Sequence, residues 1–210
     1  MNDQQTVFLV DDDESVRDAL GLYLETIGYK IKSYDCATAF LDAYSGEAGC
    51  LILDINLPGI DGLELQDILT SKNIGLPIVF LTGTGDIPMS VKAIKSGAVD
   101  FLEKPAPYEL LKQKIEEALK EDTRHREQTS KVAAIRERFA RLTPRELEIL
   151  ELIVSGKANK EIARDLDISH RTVEVHRARL MEKLQADSLP ELVVIAREAG
   201  VCGPPMPNIS

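Results

Sequence analysis

The residues able to do chemistry in this chain stand at the ends of short apolar runs. "VFLVDDDESV" (7–16) closes on Asp11, Asp12 and Asp13, "CLILD" (50–54) on Asp54 and "PIVFLT" (77–82) on Thr82, while Lys104 follows "VDFL" (99–102). Adjacent aspartates repel and raise one another's pKa unless a cation neutralises them, and a set of hard oxygen ligands with bound waters suits Mg²⁺. A carboxylate also attacks phosphorus, and the transferring phosphoryl group then needs its oxygens neutralised by a metal, a cation and a hydroxyl donor. Asp54 is the candidate nucleophile, with Thr82 donating to one phosphoryl oxygen, Lys104 pairing with a second, and Mg²⁺ on Asp12 and Asp54 taking the third. Gly83 leaves backbone room beside Thr82 for the incoming group. Asp13 reads as the cap of a helix starting near Glu14, because acids favour helix N-termini.

These side chains meet only if the runs that carry them lie in one sheet. The runs at 7–10, 29–34, 50–54, 77–82 and 99–102 alternate with stretches of helical period. Apolar strands separated by helices predict a parallel sheet covered on both faces. In such sheets ligands bind outside the carboxyl ends of the strands, where Asp11, Asp12, Asp54, Thr82 and Lys104 all fall.

Composition sets the wider limits. The chain has 210 residues and is 44% hydrophobic, enough for one large core or two modest ones. No apolar run approaches membrane-spanning length, and "MNDQQT" lacks the basic start and apolar stretch of a secretion signal, which predicts a soluble cytoplasmic protein without membrane contact. Cys36, Cys50 and Cys202 are scattered without metal spacing, and an odd count suits a reducing compartment, so they read as packing residues. Residues 1–138 hold 15 Lys and Arg against 24 Asp and Glu, whereas 139–210 hold 10 against 11. The acidic part would repel nucleic acid; the nearly neutral remainder has scope for a local basic face.

Beyond residue 120 the pattern changes. "KEDTRHREQTSK" (120–131) is polar all round, and Val132, Ile135, Phe139 and Leu142 follow at helical spacing, giving a helical linker over 121–141. Residues 107–141 read either as one rigid helix or as a helix plus a tether. Thr143, Pro144 and Glu146 start a helix that Gly156 ends, Asn159 caps "KEIARDL", Ser169 caps a third helix to about Gln185, and Ser188 with Glu191 starts a fourth that Gly200 ends. "NKEIARDLDISHRTVEVHRARLMEKL" (159–184) has helix-turn-helix spacing, with Ile162, Ala163 and Leu166 facing Val173, Leu180 and Leu184. On the second of these helices Arg171, Glu174, Val175 and Ala178 point outward, where they enter a major groove. Thr172 lies beside them at the start of the helix. Arg179, Lys183 and Lys160 flank that face within reach of phosphates, and Arg177 lies nearer the core edge. The Pro-rich tail from 201 to 210 reads as disordered.

The motifs "VDDD", "LILDINLPGIDG", "VFLTG" and "DFLEKP" resemble the receiver domain of two-component response regulators over residues 6 to about 120. The stretch from Leu142 to Gly200 resembles the LuxR-type DNA-binding domain through "LTPRELEIL", "NKEIA" and "TVEVHRARLMEKL". Together they resemble the NarL/FixJ class, and "TGTGDIPMSVKAIKSGAVDFLEKP" (82–105) is especially similar to its FixJ-like branch. The resemblance implies a flavodoxin-like α/β receiver of five parallel strands in the order 2-1-3-4-5 (residues 1–120) and a small all-α helix-turn-helix domain (142–200). It implies that Asp54 is the phospho-acceptor and that Asp12, Asp54 and the backbone carbonyl of Asn56 hold Mg²⁺ or Mn²⁺, with Asp11 acting through water. It implies a Thr82–Phe101 switch pair, a cis bond from Lys104 to Pro105, and a dimerising fourth helix. Leu57 stands where the family often has Met, a volume-conserving change.

The reading that follows is a phosphorylation-controlled transcription factor rather than an enzyme. Its partners are a sensor histidine kinase, promoter DNA, a second copy of the chain on phosphorylation, and RNA polymerase. Asp54 as the nucleophile of a free-standing phosphotransferase, and a helical domain that binds protein rather than DNA, are the alternatives; steady turnover of a phosphate ester and the absence of salt-sensitive duplex binding would mark them.

Overall fold

The computed structural model describes residues 5–83 and 87–201, and its contacts divide the chain into two units, up to Arg126 and from Glu127. In the first unit β1 (Thr6–Val10), β2 (Lys30–Tyr34), β3 (Gly49–Leu53), β4 (Ile78–Thr82) and β5 (Asp100–Glu103) form one parallel sheet in the order β2-β1-β3-β4-β5. Each strand buries alternate residues on opposite faces, so the sheet feeds two cores. Phe8, Val10, Leu51, Leu53 and Phe80 pack with α2 (Ala37–Ala43), α3 (Gly62–Ser71) and α4 (Ile87–Lys95). Val7, Leu9, Ile52, Val79 and Leu81 pack with α1 (Glu14–Thr26) and α5 (Tyr108–Ala140). β1, β3 and β4 are buried throughout. β2 departs from the expected apolar character: as an edge strand it carries Lys30, Lys32 and Ser33, and none of its residues is fully buried.

Local chemistry sets the helix starts. The Asp13 carboxylate accepts from the Ser15 and Val16 amides at 2.9 and 3.4 Å and caps α1 as predicted. Asp61 and Glu64 form a reciprocal capping box at the start of α3. Gly62 is required by close approach: a Cβ there would lie 2.3 Å from the Asp54 carbonyl oxygen, and its amide donates to Ile55 O at 2.9 Å. Gly62→Ala is expected to destabilise this unit by about 2 kcal/mol, because the obstacle is backbone and cannot rotate away. Urea denaturation of the full chain checks this, and an unchanged midpoint would contradict it.

In the second unit Ile135 and Phe139 of α5 pack against a bundle of α6 (Pro144–Val154), α7 (Asn159–Asp165), α8 (His170–Leu184) and α9 (Leu189–Glu198). Residues 108–140 form one helix, and its stripe buried in the first unit, Leu111, Ile115, Ala118, Leu119 and Asp122, ends at Asp122. Thr143 and Glu146 form the predicted capping box of α6. Asn159 is not a cap. Ala158 occupies that position, its amide satisfied by the Glu161 carboxylate at 2.8 Å, and Asn159 is the first helical residue. The turn between α7 and α8 passes through Asp167 at φ +52°, a left-handed conformation that Asp tolerates better than most residues. Val201, the first residue of the tail expected to be disordered, packs against this core; the rest of that tail, from Cys202, lies outside the described residues.

Candidate functional site

At the carboxyl ends of β1 and β3, Asp11 and Asp54 are almost fully buried (1% and 6% exposed) while Asp12 is exposed. One carboxylate oxygen from each of the three lies within 4.8 Å of the others. Lys104, just past β5, bridges two of them, with its ammonium 2.5 Å from Asp11 Oδ2 and 2.8 Å from Asp54 Oδ2. The Asp54 Oδ1 accepts from the Asn56 amide at 3.3 Å. Thr82 ends β4 fully buried, and its carbonyl accepts from the Lys104 amide at 2.8 Å, which carries the lysine to the site. Phe101 pairs in register with Phe80, on the sheet face shared by Thr82 and α4, and is partly buried there. The Lys104–Pro105 bond is cis. A Cβ on Gly83 would meet nothing within 4 Å, so packing does not demand glycine there.

Burial raises the Asp11 carboxyl, more than the Lys104 ammonium and the Asp13 amide lower it, and repulsion from Asp54 adds to the rise. Burial would lower the Lys104 ammonium, but its bonds to Asp11 and Asp54 raise it. Three carboxylates against one lysine leave two negative charges in excess, an all-oxygen set with one open side that fits a divalent hard cation.

The sequence reading missed Arg17. Its guanidinium donates to the Asp11 carbonyl oxygen at 2.7 Å and fixes the loop that carries Asp11 and Asp12. Its place one turn beyond the Asp13 cap was the available signal.

In the second unit α8 buries Val173, Leu180 and Leu184 as its period predicts. Arg171, Glu174, Val175, Ala178 and Arg179 are exposed, as is Lys160 on α7. His170 Nδ1 lies 3.5 Å from the Glu174 carboxylate. Thr172 is occupied at the cap, its hydroxyl 2.8 Å from Ser169 Oγ. Lys183, expected to flank the reading face, is half-buried and bonded within the bundle. Its ammonium lies 2.7 Å from Glu146 Oε2 and 3.2 Å from the Arg141 carbonyl. Arg177 donates to Asn159 Oδ1 at 2.8 Å.

Glu146 is 3% exposed. Burial raises its carboxyl, but Lys183 and the Thr143 amide and hydroxyl outweigh that and hold it at about 2. A depressed carboxyl stabilises the fold above its ordinary pKa of about 4.5, and that contribution is lost as pH falls from there towards 2. The expected loss is about 2 kcal/mol, less than the full shift implies because Lys183 is one-third exposed. Thermal melts of the helical unit between pH 6 and pH 2 check this. Glu146→Gln should lack that part of the acid sensitivity.

Two family models match this chain: residues 7–116 match "Response regulator receiver domain" and residues 140–196 match "Bacterial regulatory proteins, luxR family". It is 42% identical over 196 residues to the transcriptional regulatory protein FixJ of Bradyrhizobium diazoefficiens, covering 93% of this chain and 96% of the relative. It is 42% identical over 195 residues to the response regulator protein TmoT of Ectopseudomonas mendocina, covering 92% and 89%. Among solved structures, that of the response regulator StyR superposes with a TM-score of 0.86 at 42% identity, covering 93% of this chain and 99% of that one. Full-length FixJ from B. japonicum superposes with a TM-score of 0.56 at 40% identity, covering 95% and 98%.

Proposed function

This chain belongs to the response regulators, phosphorylation-controlled DNA-binding transcription factors that join a receiver to a LuxR-type helix-turn-helix domain, and from that premise we propose that Asp54 accepts the phosphoryl group and that its phosphorylation pairs two chains on promoter DNA. One observation carries this reading: a lysine reaches across from β5 to bridge Asp11 and Asp54 at the carboxyl edge of the sheet.

A receiver takes its phosphoryl group from a histidine kinase. Asp11, Asp12, Asp54 and the Asn56 carbonyl are the residues that would hold Mg²⁺, which when bound neutralises charge on the transferring group. Asp54 supplies the attacking oxygen. Lys104, already bonded to that carboxylate, moves its ammonium onto a phosphoryl oxygen, and the Thr82 hydroxyl donates to another. The modification replaces the single charge of the Asp54 carboxylate with roughly two negative charges on the phosphoryl oxygens at a buried position, which draws both donors inward. Withdrawal of Thr82 opens space for Phe101 on the same sheet face, next to α4.

That rearrangement reshapes α4, where Ile87, Val91 and Ile94 are exposed. We assign the pairing surface to this face, which takes in Pro88 and Lys95; Asp86, at its expected edge, lies outside the described residues. Pairing raises the effective concentration of one DNA-binding domain for its half-site once the other is bound. Arg171, Glu174, Val175 and Ala178 then face the base edges, Arg179 and Lys160 the phosphates, and RNA polymerase is the further partner such a regulator would recruit. No described helix is long and apolar enough to cross a membrane.

Sedimentation of the full chain with and without beryllium fluoride and Mg²⁺ tests the pairing. A monomer that becomes a dimer on adding the phosphate mimic is the expected result. A single oligomeric state under both conditions would overturn it.

A further inference from the structure

The cations of α8 fall into two sets. Arg171 and Arg179 stand exposed on its outer side. Lys183 turns the other way, into a bond with Glu146, whose Oε2 also accepts from the Thr143 amide at 2.8 Å and the Thr143 hydroxyl at 3.0 Å. Arg177 is engaged in the same manner, through Asn159 across the turn from α7.

Moving Lys183 onto a phosphate would strand a carboxylate that is only 3% exposed, and an uncompensated buried charge costs more than one screened phosphate contact returns. The lysine therefore has reason to stay on Glu146 when DNA arrives. The two tethers also act at different heights of one helix. Arg177 holds α8 to α7, and Lys183 holds its last turn to the first turn of α6. A helix held at two heights cannot roll, and the direction in which Glu174, Val175 and Ala178 point is set by that roll.

We propose that Lys183 is a positioning residue of the DNA-reading helix, acting through Glu146, and that it makes no phosphate contact. This rests on the DNA-binding reading above and replaces the phosphate role that its sequence position suggested.

The slope of log affinity against log salt separates the possibilities, because each lost phosphate contact flattens it by about 0.9. The measurement uses the full chain activated by beryllium fluoride and Mg²⁺, with a duplex selected from a random-sequence pool on the wild-type protein. Arg179→Gln should flatten the slope by that amount. Lys183→Gln should keep the wild-type slope and bind on the order of tenfold more weakly at every salt concentration. Lys183→Arg should recover most of the loss. A slope flattened by about 0.9 in Lys183→Gln would overturn the proposal in favour of a phosphate contact. Wild-type affinity at a temperature where circular dichroism shows the variant folded would overturn it in favour of a purely structural tie. Should Lys183→Gln not fold, the doubly neutral Glu146→Gln/Lys183→Gln is read in the same way. Failure to select any duplex on the wild-type chain would sink the DNA-binding reading itself, and this inference with it.

Discussion

Asp54→Asn is expected to take up no phosphoryl group from acetyl phosphate and Mg²⁺ under conditions in which the wild-type chain is modified to completion. The amide nearly preserves the volume of the carboxylate, so the buried site at the end of β3 stays filled, but the oxygen that attacks phosphorus is gone. Lys104 loses one of its two charged partners and keeps the other, the Asp11 carboxylate at 2.5 Å, so the fold should survive. Intact-mass measurement reads the outcome directly. The informative failure is phosphorylation at an undiminished rate on Asp11 or Asp12, which peptide mapping would reveal and which would remove Asp54 from the centre of the site.

The second large effect concerns stability at the opposite edge of the sheet. Asp122→Ala is expected to destabilise the receiver by about 3 kcal/mol. Asp122 is 1% exposed on α5, and its carboxylate accepts from the Gly49 amide at 2.9 Å and from Arg126 Nε at 2.8 and 2.9 Å. Arg126 in turn donates to the carbonyls of Gly46 and Glu47. Truncation leaves a buried amide without its acceptor and a guanidinium without its counter-charge. Asp122→Leu/Arg126→Met, which removes both charges, should be less damaging than Asp122→Ala. All five tyrosines, Tyr23, Tyr29, Tyr34, Tyr44 and Tyr108, lie in the receiver and the chain has no tryptophan, so tyrosine fluorescence under urea follows this unit alone. A cost below about 1 kcal/mol for Asp122→Ala would show that the cluster is solvated and contributes little.

What could be read in advance divides along the reach of the interactions. β1, β3 and β4 were legible because strands buried on both faces are apolar at every position, and the ends of those strands then placed Asp11, Asp54 and Thr82 on one edge. β2 is the edge strand, and its lysines break that pattern. Asp13 and Thr143 were legible as caps, since their partners lie within three residues. Asn159 was misassigned because its type suits a cap, while its acceptor is used by Arg177, 18 residues on. The roles of Asp122 and Arg126 were not legible, because both look like surface charges until Gly49, 73 residues from Asp122, is known to lie beneath them. The bond of Lys183 to Glu146 was hidden for the same reason, its partner being 37 residues distant. Periodicity shows which face of a helix is buried; it does not show which charges are committed across that face.

The central claim is that phosphorylation at Asp54 governs DNA binding, and the most direct test is the affinity of the full chain for a selected duplex with and without beryllium fluoride and Mg²⁺, in wild type and Asp54→Asn. The account predicts at least about tenfold tighter, salt-sensitive binding by the activated wild type and no change in the variant. Equal affinity with and without the mimic in the wild-type chain would contradict it.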